Sequence, residues 1–275
     1  MSAREELDWR DLWRFQSALH PRYAINGLDY VRWTQYALAW PALTPRPGLR
    51  LLDAGAGSLG IFDAYLTDRL KCEVCALDLP PVADALRRWV ARHGEPRDTF
   101  TAVGGDIRRL PFSTGTYDAA TAFNTLGHLR NDGDTVALLE LLRVVKPGGR
   151  VVVTVHYNRE LRAEIFRDDA QGADGIVEPG LQFWVRIYND TDLRRRLLEP
   201  AGGATAEVRY YGETSFSWGR LYYARRPPVL RLVSRCLRWA APLLSSWYLR
   251  EVPPEHLGRD DWMGCGAVIA FTKGP

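Results

Sequence analysis

The stretch that most constrains this chain is LLDAGAGSLG, residues 51–60. The apolar run 49–52 predicts a buried strand. Asp53 closes that strand, Gly55 and Gly57 follow, and helical spacing runs through residues 59–70. A strand, a glycine turn and a helix together present backbone N–H groups at a helix N-terminus. A Cβ at Gly55 or Gly57 would stand between that backbone and a ligand. A turn of this kind belongs at the edge of a sheet, so the order of the elements that follow decides the fold.

Strands are expected at residues 73–77, 99–103, 117–123 and 150–155, with helices at 82–91 and 134–145. The sequence Lys146-Pro147-Gly148-Gly149 is a helix stop. Strands alternating with helices imply a parallel sheet with right-handed crossovers. Ligands of such sheets sit outside the carboxyl ends of the strands. Asp53, Asp78, Asp106, Asn124 and His156 each follow the apolar part of a different predicted strand, so they converge on one edge.

Two ligand classes suit the glycine turn. Gly55, Gly57 and Gly60 spell the dinucleotide pattern, in which a helix N-terminus holds a pyrophosphate. Asp53, two residues before the first glycine, would repel a pyrophosphate and would suit a ligand carrying an ammonium group. Asp78, at the end of the second strand, can accept both hydroxyls of a ribose through one carboxylate. That residue suits either ligand.

Four motifs in order carry a resemblance. LLDAGAGSLG resembles the first motif of the class I S-adenosylmethionine-dependent methyltransferases, acid-x-Gly-x-Gly-x-Gly, with the third glycine displaced to Gly60 and Leu59 in its usual place. GGDIRRLPF resembles the family's adenine-contacting motif, YDAATAFNTLGHL its fourth motif, and VVKPGGRVVV its helix-to-fifth-strand motif. The resemblance covers residues 49–157 well and the rest loosely. It implies an α/β, Rossmann-like, seven-stranded, mostly parallel sheet with an antiparallel last strand and helices on both faces. It implies S-adenosylmethionine as cofactor and S-adenosylhomocysteine as product, held by Asp53, Ala54, Gly55, Gly57, Asp78, Leu79, Asp106, Ile107 and Asn124. The reaction implied is in-line displacement on a sulfonium methyl, driven by positioning and exclusion of water. His128, after the fourth strand, and His156, ending the fifth, are the candidate bases. No metal is required.

Residues 1–45 are read as an N-terminal helical cap, with helices over residues 7–15 and 28–39 and a break at the proline-rich run 41–48. Residues 46–275 form the core domain, with insertions about 157–190 and 212–262. Aromatic density in the cap and beyond the core motifs marks walls for a small organic acceptor. Tyr23, Tyr30, Tyr36, Tyr157, Arg186 and Tyr188 are the candidate substrate contacts, with Arg32 beside them. Residues 158–180 read as helix and loop, 180–190 as a strand or pocket wall, 191–198 as a helix capped by Asp190 or Thr191, and 205–211 and 264–271 as the closing strands. A basic helix over residues 229–240 has two readings, contact with a membrane surface or packing on its own domain.

Composition narrows the partners. The 275 residues carry a net charge of only +3, with 46% hydrophobic and 25% charged residues, which suits one large soluble domain and gives no argument for nucleic acid. The fourth motif also lacks the N-P-P-Y or D-P-P-Y pattern of nucleic-acid amino methyltransferases. Cys72 and Cys75 read as buried thiols, which with the polar residues 1–6 suits a reducing cytoplasm. No apolar run is long enough to span a membrane. The expected assembly is a monomer or homodimer, methylating a small molecule of natural product biosynthesis. An NAD(P)-dependent oxidoreductase and a non-catalytic scaffold of the same fold are the alternatives.

Overall fold

The computed structural model describes residues 6–93, 99–167, 182–214, 218–222, 237–257 and 264–275. Helix α1 (Trp9–Leu19) opens it, capped by Asp8, whose carboxylate accepts the N–H groups of Arg10 and Asp11. A short α2 (Tyr23–Asn26) and a longer α3 (Tyr30–Leu43) follow. Helix α3 continues through Pro41 and ends at Thr44, in left-handed backbone at φ 43°. The helix therefore ends within the proline-rich run 41–48, as expected, with Pro41 accommodated in its last turn.

The core then alternates as anticipated: β1 (Arg50–Ala54), α4 (Ile61–Leu70), β2 (Glu73–Asp78), α5 (Pro80–His93), β3 (Phe100–Gly104), β4 (Tyr117–Phe123), α6 (Gly133–Val144) and β5 (Val145–His156). A hairpin of β6 (Ala163–Arg167) and β7 (Gln182–Ile187) comes next. It is followed by α7 (Asp190–Leu193), which widens into a π turn at Arg194–Leu198. The remaining elements are β8 (Thr205–Glu213), α8 (Trp218–Tyr222), a 3-10 turn at Arg238–Ala240, α9 (Ala241–Tyr248), β9 (Leu249–Glu251) and β10 (Gly266–Thr272).

The main sheet has the order β3-β2-β1-β4-β5-β10-β8-β9. Strands β1 to β5 are parallel and β10 runs antiparallel between β5 and β8. The antiparallel last strand is thus as expected. The sheet has eight strands rather than seven because the insertion returns three residues, β9, to the edge of β8.

Two cores lie on opposite faces. One gathers α1, α3, α4, α5 and α9 around Trp40, Tyr65, Phe62 and Val74. The other packs α6 and the π turn around Leu138, Leu141, Val153 and Phe271. Three further expectations change. Part of the 158–180 segment is a strand, Ala163–Arg167, which pairs with Gln182–Ile187 as a two-stranded ribbon whose register shifts between Ile165 and Phe166. The helix expected at 191–198 starts at Asp190 and is capped by Asn189, which accepts the N–H of Asp192. Of the basic helix, residues 229–236 lie outside the described residues, and Arg238–Ala240 is a 3-10 turn.

Candidate functional site

The glycine turn is tied to the sheet at several points. Gly55 N–H and Ala56 N–H donate to the Leu77 carbonyl at 2.7 and 3.3 Å. Gly57 N–H donates to Asp78 Oδ2 at 2.8 Å, and Leu79 N–H to Asp78 Oδ1 at 2.7 Å. Asp78 thus locks the turn while each oxygen keeps a lone pair for a further donor. Burial pushes its carboxyl upward, opposed by those two N–H groups.

The three glycines have different tasks. Gly55 and Gly57 have φ of +82° and +75°, which favours glycine at both. A Cβ at Gly55 would lie 2.2 Å from Thr125 Oγ1, so this glycine is required by the protein's own side chain. A Cβ at Gly57 meets nothing within 4 Å, so Gly57 is the member that borders open space. A Cβ at Gly60 would come within 2.6 Å of Phe100, and this residue serves close packing of α4 on β3.

Asp53 is buried at the end of β1, where Thr121 Oγ1 of β4 donates to its Oδ1 at 2.6 Å. Burial pushes its carboxyl up to about 6, opposed by Thr121 and the charge of Arg32 and aided by Asp78. Asp63 on α4 is buried at 3% exposure, with no hydrogen-bond partner for Oδ1. Burial and then the Asp53 charge push its carboxyl well above the ordinary value. The Asp53 charge thus disfavours ionisation of Asp63.

Helix α3 packs on one face of the sheet, with Gln35 near the carboxyl edge and Ala42 reaching Arg150 of β5. Gln35 Nε2 donates to Asn124 Oδ1 at 2.9 Å and to the Tyr211 hydroxyl at 2.6 Å. It thereby joins α3 to the ends of β4 and β8. Asn124 has φ +53° and receives Thr154 Oγ1 at 3.0 Å. Tyr36 stacks on Phe62 with ring centroids 3.8 Å apart and meets Phe123 edge-on at 4.9 Å. Burial pushes the Tyr36 hydroxyl upward, with Arg32 opposing and Asp53 and Asp63 adding to the rise. Tyr30 donates to Glu213 Oε1 at 2.9 Å.

The other expected residues divide. Asp106 follows β3 as anticipated, but Arg108 forks onto both of its oxygens at 2.7–3.0 Å and holds its carboxyl below the ordinary range. Ile107 is buried beside it. His128 lies after β4, its Nδ1–H donating to the Trp184 carbonyl, which leaves Nε2 as the basic nitrogen. His156 ends β5 opposite Gly266. Ala54 is buried in the last position of β1.

Four of the six substrate candidates are placed away from α3. Tyr23 packs on α5, accepting the Trp89 indole N–H at 2.8 Å. The Tyr157 hydroxyl donates to Asp190. Arg186, 2% exposed, donates to Asp134 Oδ2 at 2.8 Å, Glu164 Oε1 at 3.0 Å and the carbonyls of Leu129 and Asn131. Tyr188 donates to the same Asp134 oxygen at 2.6 Å, and Arg196 reaches both. Burial acts to raise the Asp134 carboxyl, but Arg196, Tyr188 and Arg186 hold it below the ordinary range. This cluster joins the β6–β7 hairpin to α6 and gives the Arg186 guanidinium and the Tyr188 hydroxyl partners within the protein. Tyr30 and Tyr36 are carried by α3, and Tyr157 directly follows the end of β5. Sequence reasoning missed Gln35, Asp63, Thr121 and Tyr211. The available signal for Asp63 was its place among Ile61, Phe62, Ala64, Tyr65 and Leu66, a helix apolar all round. Among the described residues no cluster of three His, Cys, Asp or Glu could hold a metal.

Comparison with known proteins places this geometry. Residues 52–153 match the family model described as "Methyltransferase domain". The demethylmenaquinone methyltransferase of Corynebacterium kroppenstedtii is 40% identical over 179 residues, 58% of this chain and 70% of that protein. That of Beutenbergia cavernae is 42% identical over 129 residues, 46% of this chain and 48% of that protein. The ubiquinone/menaquinone biosynthesis C-methyltransferase UbiE of Cereibacter sphaeroides is 32% identical over 129 residues, 47% and 50% of the two chains. The chain spans about half the length of several of these curated relatives. Among solved structures, MccD superposes with a TM-score of 0.54 at 14% identity over 87% of this chain and 96% of that one. A sarcosine dimethylglycine methyltransferase from Galdieria sulphuraria gives 0.53 at 15%, over 96% and 98%. These two show the fold alone. The chain belongs to the class I S-adenosylmethionine-dependent methyltransferases.

Proposed function

We propose that this protein transfers a methyl group from S-adenosylmethionine to a small, apolar, ring-bearing acceptor. The observation that carries the reading is the convergence of Asp53, Gly57 and Asp78 at adjacent strand ends, under a helix that brings Tyr36 against Phe62 and Phe123. The residues fit the cofactor. Gly57 borders open space, Asp78 keeps acceptor capacity for a ribose, and Asp53 supplies negative charge for an ammonium group. When bound, S-adenosylmethionine supplies an electrophilic sulfonium methyl.

The protein's part is to position and to exclude water. Thr121 orients Asp53, and Gln35 fixes the α3 cap across Asn124 and Tyr211. Residues up to about 45 act as that cap, and residues 46–275 form the catalytic domain. His128 is oriented by Trp184 so that Nε2 can take a proton from the acceptor, and His156 is the other candidate. The relatives' names point to a quinone-like acceptor. Asp53 at the turn disfavours the pyrophosphate of a dinucleotide, and the antiparallel β10 supports the methyltransferase sheet over the dinucleotide one.

The test is methyl-labelled S-adenosylmethionine with demethylmenaquinol and, separately, sarcosine. Label on the quinol supports the proposal. Label on sarcosine alone would reverse the acceptor class, and label on neither with intact cofactor binding would remove it.

A further inference from the structure

Two of the most exposed large apolar side chains lie close together in sequence. Trp239 and Trp247 are 58% and 57% exposed. They stand eight residues apart with Leu243 midway, along the 3-10 turn and α9. Four-residue spacing places such side chains along one stripe of a helix. The turn packs against α2, where Ile25 is also exposed, and Arg238 Nη1 donates to Asn26 Oδ1 at 3.1 Å across that contact. Exposed arginines accompany these elements, Arg22 before α2, Arg238 in the turn and Arg250 just after α9.

The charge of this part of the chain is one-sided. Residues 214–250 contain seven arginines and neither Asp nor Glu, while the whole chain carries only +3, so the remainder is net negative. Residues 16–28, which include α2, also hold no acid. Glu251, the first acid after the run, is held by Arg209 Nη2 at 2.6 Å.

We propose that the face formed by α2, the 238–240 turn and α9 docks onto an anionic lipid surface. Tryptophan prefers the headgroup level, where its ring is buried and its N–H stays wet. Arginine beside it is drawn to anionic headgroups. A second copy of the chain is the poorer occupant, because a two-fold interface would set these arginines against their own copies. Among the described residues no helix is long and apolar enough to cross a membrane, so contact is peripheral.

The docking face is one helix from the candidate site. Thr34 and Ser245 share a hydrogen bond of 2.7 Å, and Thr34 Oγ1 donates to the Leu249 carbonyl at 3.2 Å. The next residue of α3 is Gln35, which holds Asn124 and Tyr211. A lipid surface on this face therefore bears on the helix whose Gln35 reaches the strand ends. The proposal stands independently of the methyl-transfer reading.

The experiment is flotation of the full chain with phosphatidylcholine vesicles, with and without phosphatidylglycerol. Wild type should float with the anionic vesicles, less at high salt, and weakly with phosphatidylcholine alone. The double variant Trp239→Ser/Trp247→Ser should lower partitioning about tenfold or more. Arg238→Glu, on an exposed side chain, should weaken it separately. Leu139→Ser on α6, an exposed apolar side chain in the other core's helix, should leave it unchanged. Thermal midpoints and S-adenosylhomocysteine affinity should match wild type in all variants. Absence of flotation with anionic vesicles, or flotation undiminished in the double variant, overturns the proposal. So does a double variant that changes only the association state by light scattering, which would make the face a dimer contact.

Discussion

Replacing Asp53 with asparagine should separate binding from stability, with opposite signs. The carboxyl rises from an ordinary 3.8 to about 6, chiefly by burial. An unfolded chain ionises this group at the lower value, so folding at neutral pH carries a charge that burial disfavours. That penalty is absent below about 3.8, grows as pH climbs towards 6, and is complete above it. Its size is roughly 3 kcal/mol. Asparagine keeps an oxygen to accept the Thr121 hydroxyl and relieves the charge felt by Asp63. The ligand-free variant should therefore melt higher than wild type at pH 8, on the order of 5–10 °C, and match it near pH 4. Binding of S-adenosylhomocysteine should weaken about 10- to 100-fold, through loss of a charge-assisted contact. Scanning calorimetry across pH and isothermal titration at pH 8 read the two effects. A variant less stable than wild type at pH 8, or a difference independent of pH, would refute the electrostatic argument. Unchanged affinity would remove Asp53 from the cofactor site.

Other expectations follow from the same geometry. Gly57→Val should abolish cofactor binding, since its side chain enters open space from a positive-φ backbone, whereas Gly55→Val should fail first in folding against Thr125, as thermal melts will distinguish. Asp134→Ala should destabilise by about 3–5 kcal/mol by leaving the buried Arg186 and Arg196 without their shared carboxylate; S-adenosylhomocysteine affinity in the folded fraction should persist, and its loss would return this cluster to the site. Gln35→Leu should lower turnover more than it lowers cofactor affinity, as it frees the cap from Asn124 and Tyr211. His128→Ala should lower turnover about 10²–10⁴-fold if the acceptor must lose a proton, with His156→Ala as the comparison; wild-type-like pH–rate profiles in both would remove base catalysis.

The carboxyl edge was legible in the sequence because it depends on local pattern. Asp53, Asp78 and Asn124 each follow a short apolar run, and parallel strands bring such ends together whatever the sequence distance. The partners that hold those residues were not legible. Thr121 is 68 residues from Asp53 and Gln35 is 89 from Asn124, and no periodicity links such pairs. The partners of Arg186 were hidden for the same reason, since Asp134 lies 52 residues away. The need for glycine at residue 55 was legible, but not that Thr125, 70 residues away, is the side chain a Cβ there would meet. The strand at Ala163–Arg167 was hidden because it lacks strict alternation, with Ile165 and Phe166 adjacent.

The central claim is that the turn from Asp53 to Gly57, with Asp78, holds S-adenosylmethionine rather than a dinucleotide. Isothermal titration of the full chain with S-adenosylhomocysteine and, in parallel, NAD tests it most directly. The account predicts saturable single-site binding of S-adenosylhomocysteine and no heat with NAD. Binding of NAD, or no binding of S-adenosylhomocysteine by folded protein, would contradict it.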